Sequence, residues 1–128
     1  MIAMIIGVGT DMIEIERVVR ACSKVAFLEK YFTEKERKLI SLDIKKAADN
    51  FAVKEAVAKM FGTGFREIVP IEIEVLRDKL GCPYVNVYGK TKEQAKKHNI
   101  SKIHVSISNT KKYATAFVVG EASVNDAC

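Results

Sequence analysis

The chain has 128 residues, of which 48% are hydrophobic and 29% charged, and its formal net charge at pH 7 is +5. Its length predicts one domain, 1–128, and its 3 cysteines lack the spacing of a zinc site or a disulfide framework, which indicates reduced thiols and a cytoplasmic location. The positive charge favours an anionic partner, but it is spread along the chain without a basic tail, so nucleic-acid binding is not expected.

The first predicted element is a short strand over residues 4–10, which are rich in Ile, Val and Gly. The apolar start of the chain has no preceding basic residue and is interrupted by Asp11, so it predicts neither a signal peptide nor a membrane span. A helix is expected over 13–22. Asp11 and Glu14 have the spacing of a capping box, so Asp11 either caps this helix or presents its carboxylate as a metal ligand.

Further helices and strands follow without a linker or an internal repeat. Thr33 and Glu36 have the form of a capping box and predict a helix to about Leu42, and Asp43 is expected to cap a long helix over 43–61. Alternating patterns then predict a hairpin formed by 71–76 and 84–87. A short lysine-rich helix is expected over 90–98, and two last strands over 102–108 and 113–119. Residues 121–128 are expected to be frayed. This order predicts an α+β fold in which helices pack on a mostly antiparallel sheet.

The long central helix has apolar residues on one face and charged residues on another. Glu55 and Lys59 lie one turn apart. The residues expected to face the core are Val53, Ala56, Val57 and Met60. The plain interpretation of the charged face is an exposed ion pair worth a few tenths of a kcal/mol. The functional interpretation is a face that holds a metal and a phosphate together, and Gly62 and Gly64 follow the end of the helix.

The strand over 103–108 has one wholly polar face, formed by His104, Ser106 and Ser108. The plain interpretation is a half-solvated sheet with a hydrogen-bonded histidine. The next turn, Asn109-Thr110-Lys111, offers backbone amides and a lysine that could receive a phosphate.

Three groups of residues form a specific pattern when their order and spacing are taken together. They are Gly7-Val8-Gly9-Thr10-Asp11 with Ile15-Glu16-Arg17, then Phe51-x-x-Lys54-Glu55-Ala56-x-x-Lys59-x-x-Gly62-x-Gly64, and last His104-Val105-Ser106-Ile107-Ser108 with Ala114 and Ala116. This pattern, from about Ile5 to Val119, resembles holo-acyl-carrier-protein synthase, a family of small phosphopantetheinyl transferases.

The resemblance implies a magnesium-dependent enzyme that transfers phosphopantetheine from coenzyme A to a serine of apo acyl carrier protein. The products would be holo carrier protein, which supports fatty acid biosynthesis, and adenosine bisphosphate. By motif match, Asp11 and Glu55 would hold Mg²⁺ and form the catalytic group with Lys59. Lys54 and Lys59 would neutralise phosphates of coenzyme A. The proton of the carrier serine would pass to Glu55 or to a metal-linked water.

The resemblance also implies contacts outside the catalytic group. The remaining coenzyme A contacts would come from glycines, polar side chains and a lysine: Asn50, Gly62, Gly64, Ser108, Asn109, Thr110 and Lys111. Arg17 and Arg20 would dock the acidic carrier protein. The resemblance further implies a homotrimer that holds coenzyme A between neighbouring subunits.

Two residues depart from the family pattern. Asn50 stands where an arginine is common, and Asn109 stands where a histidine is common, so coenzyme A could bind more weakly or rely on Lys111 and Lys112. These departures keep open a non-catalytic module that binds a nucleotide or an acidic protein through the same lysines. A purely structural oligomerisation domain would explain the strands but not why Asp11, Glu55 and Lys59 occur in register.

Overall fold

The fold contains five strands, five α-helices and two short 3₁₀ helices within residues 2–124, the part of the chain that the computed structural model describes. In chain order the strands and α-helices are β1 (Ile2–Glu14), α1 (Ile15–Ala21), α2 (Val25–Tyr31), α3 (Glu34–Leu42), α4 (Lys45–Phe61), β2 (Ile73–Arg77), β3 (Pro83–Val87), α5 (Gly89–Lys97), β4 (Lys102–Asn109) and β5 (Tyr113–Val124). The 3₁₀ helices, Gly64–Arg66 and Pro70–Glu72, lie between α4 and β2.

The strands form two antiparallel sheets. In the larger sheet β5 lies between β1 and β4, and in the smaller one β2 pairs with β3. The predicted hairpin is present as β2 and β3, and the predicted lysine-rich helix is present as α5. The capping box of Thr33 and Glu36 is also confirmed, because both of its hydrogen bonds are present. His104, Ser106 and Ser108 share the exposed face of β4, as predicted. The predicted α+β fold is therefore confirmed.

Helix α4 lies at the centre of the molecule, directly against β1. A Cβ atom added at Gly9 would overlap the carbonyl oxygen of Ala56, and one added at Gly7 would lie 2.5 Å from the carbonyl oxygen of Met60. Only glycine lets the strand backbone come this close to the helix backbone. The four predicted core residues of α4 are all buried, together with eight others of its 17 residues.

The first strand is longer than predicted, and Asp11 is not a helix cap. β1 pairs with β5 as far as Glu14 opposite Tyr113, and Asp11 lies within the strand opposite Ala116. The prediction of a capping box at Asp11 is wrong because this pairing continues through it. Glu14 precedes α1 instead and makes no side-chain capping hydrogen bond.

Three other features differ from the sequence predictions: one helix, one helix start and the end of the last strand. Helix α2 was missed, because it has only seven residues and no side-chain cap. Helix α4 begins at Lys45, and Asp43 accepts a hydrogen bond from the Lys45 amide at 3.1 Å although it lies one residue before the capping position. Residues 121–124 are paired with β1 and are not frayed, whereas residues 125–128 of that prediction lie outside the described residues.

The face of the larger sheet that points away from α4 is open and apolar. Val8 and Met12 of β1 are 54% and 63% exposed, and Phe117 of β5 is 48% exposed. Register places Val8 opposite Val119, and Thr10 opposite Phe117, so these side chains form one continuous surface. We call this surface the outer sheet face. Among the described helices, none has the length and apolar character needed to cross a membrane.

The contact between β1 and α4 makes a direct prediction about stability. Gly9→Ala should lower the free energy of unfolding by about 3 kcal/mol, because two backbones must separate to admit the methyl group. Gly120→Ala is the matched control: its added Cβ would meet the flexible Met60 side chain at 2.7 Å. That variant should lose only about 1 kcal/mol. Equal losses in denaturant titrations at one protein concentration would contradict the proposed backbone contact.

Candidate functional site

Asp11, Glu55 and Lys59 come together where β1 crosses α4. The Lys59 Nζ donates to Asp11 Oδ1 at 2.9 Å and to the Thr10 carbonyl oxygen at 3.1 Å. The Lys59 side chain is 55% exposed and the Asp11 side chain 14% exposed. The pairing brings together residues that are 48 positions apart in the sequence. These three predicted site residues therefore form one partly exposed polar cluster.

The charges in this cluster are unbalanced in favour of the carboxylates. Burial raises the pKa of Glu55, the nearby charge of Asp11 raises it further, and Lys59 lowers it. Two carboxylates that repel each other across a half-buried site are stabilised by an added cation. The cluster consequently has the electrostatic character of a cation site.

The donor set in this cluster suits a hard divalent cation. Within residues 2–124, no group of three or more His, Cys, Asp or Glu side chains lies together in a way that could hold a metal. A metal at this cluster would therefore have only the two carboxylates of Asp11 and Glu55 as side-chain ligands. Mg²⁺ commonly takes one or two carboxylates, with water and phosphate oxygens in its other positions, so the residues present fit it.

Lys54, which was predicted to contact coenzyme A, lies outside this cluster. Its side chain is fully buried. The Nζ donates to Glu36 Oε1 at 2.8 Å, to the Pro70 carbonyl oxygen at 2.9 Å and to the Ile73 carbonyl oxygen. Burial lowers the pKa of Lys54, whereas the charge of Glu36 raises it. An ammonium group has three N–H donors, so none is left for a phosphate.

Asn50, another predicted coenzyme A contact on α4, is also buried. Its Nδ2 donates to Glu36 Oε2 at 3.0 Å and to the Val75 carbonyl oxygen at 2.9 Å. Its Oδ1 accepts from Arg77 Nη2 at 2.9 Å. The side-chain amide is thus satisfied inside the protein.

Sequence reasoning missed the second role of Glu36. It predicted only the capping box, in which the Thr33 amide donates to Glu36 Oε1 at 3.1 Å. The same carboxylate also binds Lys54, which is 18 residues further along the chain. No local pattern signals a contact of that kind, because its two halves come from different helices.

The glycines after α4 occupy left-handed backbone conformations. Gly62 has φ of +81° and Gly64 has φ of +62°, and a Cβ added at either would meet no atom within 4 Å. Glycine is therefore favoured here by conformation and not by crowding within the chain. Both residues are exposed one turn beyond Lys59.

The turn after β4 presents the other predicted coenzyme A contacts at the surface. Ser108, Asn109, Thr110 and Lys111 are exposed. Asn109 Nδ2 donates to Oδ1 of the buried Asp49 at 2.8 Å, which fixes the end of β4 to α4. Thr110 Oγ1 accepts from the backbone amides of residues 112 and 113 and holds the turn in shape.

A mostly apolar groove of about 410 Å³ lies beside α1. Phe27 and Phe51 line it with their ring centroids 6.1 Å apart and their planes at 30°, and Glu14 and Arg17 are its charged lining residues. Arg20 is close by, but its Nη2 donates to Glu16 Oε1 at 2.9 Å within the same helix. Of the two predicted docking residues, Arg17 lines this groove and Arg20 does not.

Comparison with known proteins finds similarity over most of the chain. The model of the 4'-phosphopantetheinyl transferase superfamily matches residues 7–118. The chain is 65% identical over 118 residues to the holo-[acyl-carrier-protein] synthase of Lachnoclostridium phytofermentans, which covers 92% of this chain and 97% of the relative. It is 44% identical over 121 residues to the enzyme of the same name from Fusobacterium nucleatum, across 91% of this chain and 98% of the relative.

Solved structures agree with the sequence comparison. The holo-[acyl-carrier-protein] synthase of Neisseria meningitidis has a TM-score of 0.82 and 31% identity, across 91% of this chain and 98% of that one. The Helicobacter pylori enzyme, determined in complex with coenzyme A, has a TM-score of 0.79 and 28% identity, across 88% of this chain and 98% of that one.

Proposed function

The chain belongs to the 4'-phosphopantetheinyl transferase superfamily, as an enzyme of the holo-[acyl-carrier-protein] synthase type, and we propose that it transfers phosphopantetheine from coenzyme A to apo acyl carrier protein with Mg²⁺. In this reaction a serine oxygen of the carrier forms a bond to phosphorus. The phosphoanhydride bond of coenzyme A breaks, and adenosine bisphosphate leaves. The convergence of Asp11, Glu55 and Lys59 supports this proposal most directly. We also propose a cytoplasmic role in fatty acid biosynthesis.

Each residue of the cluster has a task that follows from its charge and position. Asp11 and Glu55 would hold Mg²⁺, which when bound would neutralise charge on the phosphates. Lys59 is exposed at the same place and would contact a phosphate oxygen. The proton of the carrier serine would pass to Glu55 or to a metal-linked water.

The phosphate contacts that we propose differ from those that the family resemblance implies. Lys54 and Asn50 are left out because their polar atoms are already engaged in the interior. We keep Lys59, the exposed glycines that follow α4, and the turn over 108–111 with Lys111 as its cation. Exposed backbone amides and a lysine suit an anionic ligand.

Transfer itself is the first prediction of this proposal. The protein, coenzyme A, Mg²⁺ and apo acyl carrier protein should yield a heavier carrier by mass spectrometry. Asp11→Asn and Glu55→Gln should each lower kcat about a hundredfold or more, because each removes a carboxylate that is proposed to hold Mg²⁺. Glu93→Gln, an exposed change on α5, is the control and should keep full activity. No mass gain with any divalent cation would favour the non-catalytic binding module.

The groove beside Arg17 supports docking of the carrier protein. It joins an exposed cation to an apolar cleft, a combination that can receive an acidic helix with apolar side chains on one face. Arg20 and Lys24 extend the positive surface past the groove. We therefore propose Arg17 as the main docking residue and Arg20 as a contributor to the surrounding charge.

Salt dependence tests this docking surface. Arg17→Glu should raise the KM for carrier protein about tenfold at low ionic strength, and the difference should shrink as salt is added. Lys90→Glu makes the same charge change on α5, away from the groove, and should alter KM much less. An unchanged KM for Arg17→Glu at low ionic strength would show that the carrier docks elsewhere.

We further propose that the enzyme is a homotrimer and that its outer sheet face is buried between subunits. The face exposes Val8, Met12 and Phe117 together, and exposed apolar surfaces of this kind are typical of interfaces. Asp11 lies on the opposite face of β1 from the outward-facing Thr10 and Met12, so the backbone of one strand separates this interface from the cluster. The proposal that coenzyme A binds between subunits rests on the family resemblance.

Oligomeric state gives a separate prediction. Phe117→Glu should convert a trimer into smaller species in light-scattering measurements after gel filtration, because it buries a charge in the interface. Tyr84→Glu is a matched control: Tyr84 is 41% exposed, similar to Phe117 at 48%, but lies on β3 in the smaller sheet. A wild-type monomer, or a trimer unaffected by Phe117→Glu, would refute this assembly.

A further inference from the structure

Lys54 is a fully buried lysine that immediately precedes Glu55 on α4. Successive residues of an α-helix point about 100° apart, so the two side chains leave the helix in different directions. Glu55 reaches the cluster with Asp11, while Lys54 enters the interior toward α3 and β2. The direction of one side chain therefore determines the direction of the other.

Glu36 anchors Lys54 and connects three parts of the fold. Its Oε1 accepts from Lys54 Nζ and from the Thr33 amide, and its Oε2 accepts from Asn50 Nδ2 and from the Val75 amide at 3.2 Å. Four donors around one buried carboxylate are the arrangement that an ionised group requires. α3, α4 and β2 are consequently joined at a single point.

Helix α4 is thus held from two sides. The glycines of β1 lie against its backbone at Ala56 and Met60, and the buried ion pair holds it one residue before Glu55. The first contact brings Asp11 to the helix, and the second limits rotation of the helix about its axis.

We infer that Lys54 and Glu36 are a positioning pair for the catalytic cluster, an inference that rests on the proposed function of Asp11 and Glu55. Neither residue contacts substrate in this arrangement. Their role is to set where Glu55 and Lys59 point, so their loss should weaken metal binding and slow transfer in protein that is still folded. Docking of the carrier, on the groove beside Arg17, should be unaffected.

The test uses Lys54→Met, which keeps an apolar stem but removes the ammonium group, and the double variant Lys54→Met with Glu36→Met. The double variant removes both buried charges, so it leaves no unpaired ion and should fold even if the single variant does not. Mn²⁺ binding is followed by electron paramagnetic resonance, and transfer is followed at saturating coenzyme A. We expect about a tenfold loss in Mn²⁺ affinity and in kcat, with the KM for carrier within about twofold of wild type.

Ile40→Ala is the matched control, because Ile40 is a buried residue of α3 one turn after Glu36 and takes no part in the ion pair. It should destabilise the protein without changing Mn²⁺ affinity or kcat at a temperature where it is folded. If the folded double variant matches Ile40→Ala in both quantities, the positioning role is refuted. Glu55→Gln in the same titration tests the metal site separately: unchanged Mn²⁺ binding would refute that site, while kcat of the double variant still decides the positioning role.

Discussion

The close contact between β1 and α4 is the constraint on which the rest of the structure depends. Gly9 has no side chain, so the strand backbone can lie on the backbone of Ala56. Asp11 follows two residues later on the same strand and arrives beside the turn of helix that carries Glu55 and Lys59. The cluster of Asp11, Glu55 and Lys59 is therefore a consequence of packing between two long elements, and no flexible loop is needed to assemble it.

The buried ion pair acts on the same helix but in a different physical way. Removing two charges from water is costly, and a buried ion pair is often no more stabilising than apolar residues of similar size. Lys54 and Glu36 are nevertheless fully buried. Lys54 donates to the backbone carbonyl oxygens of Pro70 and Ile73, and Glu36 accepts from the backbone amides of Thr33 and Val75. Hydrogen bonds of this kind are directional, whereas apolar contacts tolerate sliding, so the pair contributes orientation more than stability.

Sequence reasoning succeeded where the signal was local and failed where it was not. The capping box of Thr33 and the alternation in β4 depend on residues within a few positions, and both could be predicted. Lys54 could not be placed, because lysine is rarely buried without a partner and its partner lies on another helix. Asp11 was given two roles because the end of β1 depends on its pairing with β5, more than 100 residues away. Motif resemblance brought Asp11 and Glu55 together but could not separate surface lysines from buried ones.

The departures at Asn50 and Asn109 take on a physical meaning in the fold. Asn50 accepts a hydrogen bond from Arg77, whose guanidinium group is also near the buried charge of Asp49. A positive charge thus lies beside this position, but it comes from β2 and not from α4. Asn109 donates to Asp49, so both asparagines belong to one set of contacts that includes Arg77. An arginine at position 50 would place a second guanidinium group next to Arg77 and Lys54, and asparagine avoids that repulsion while linking the hairpin to α4.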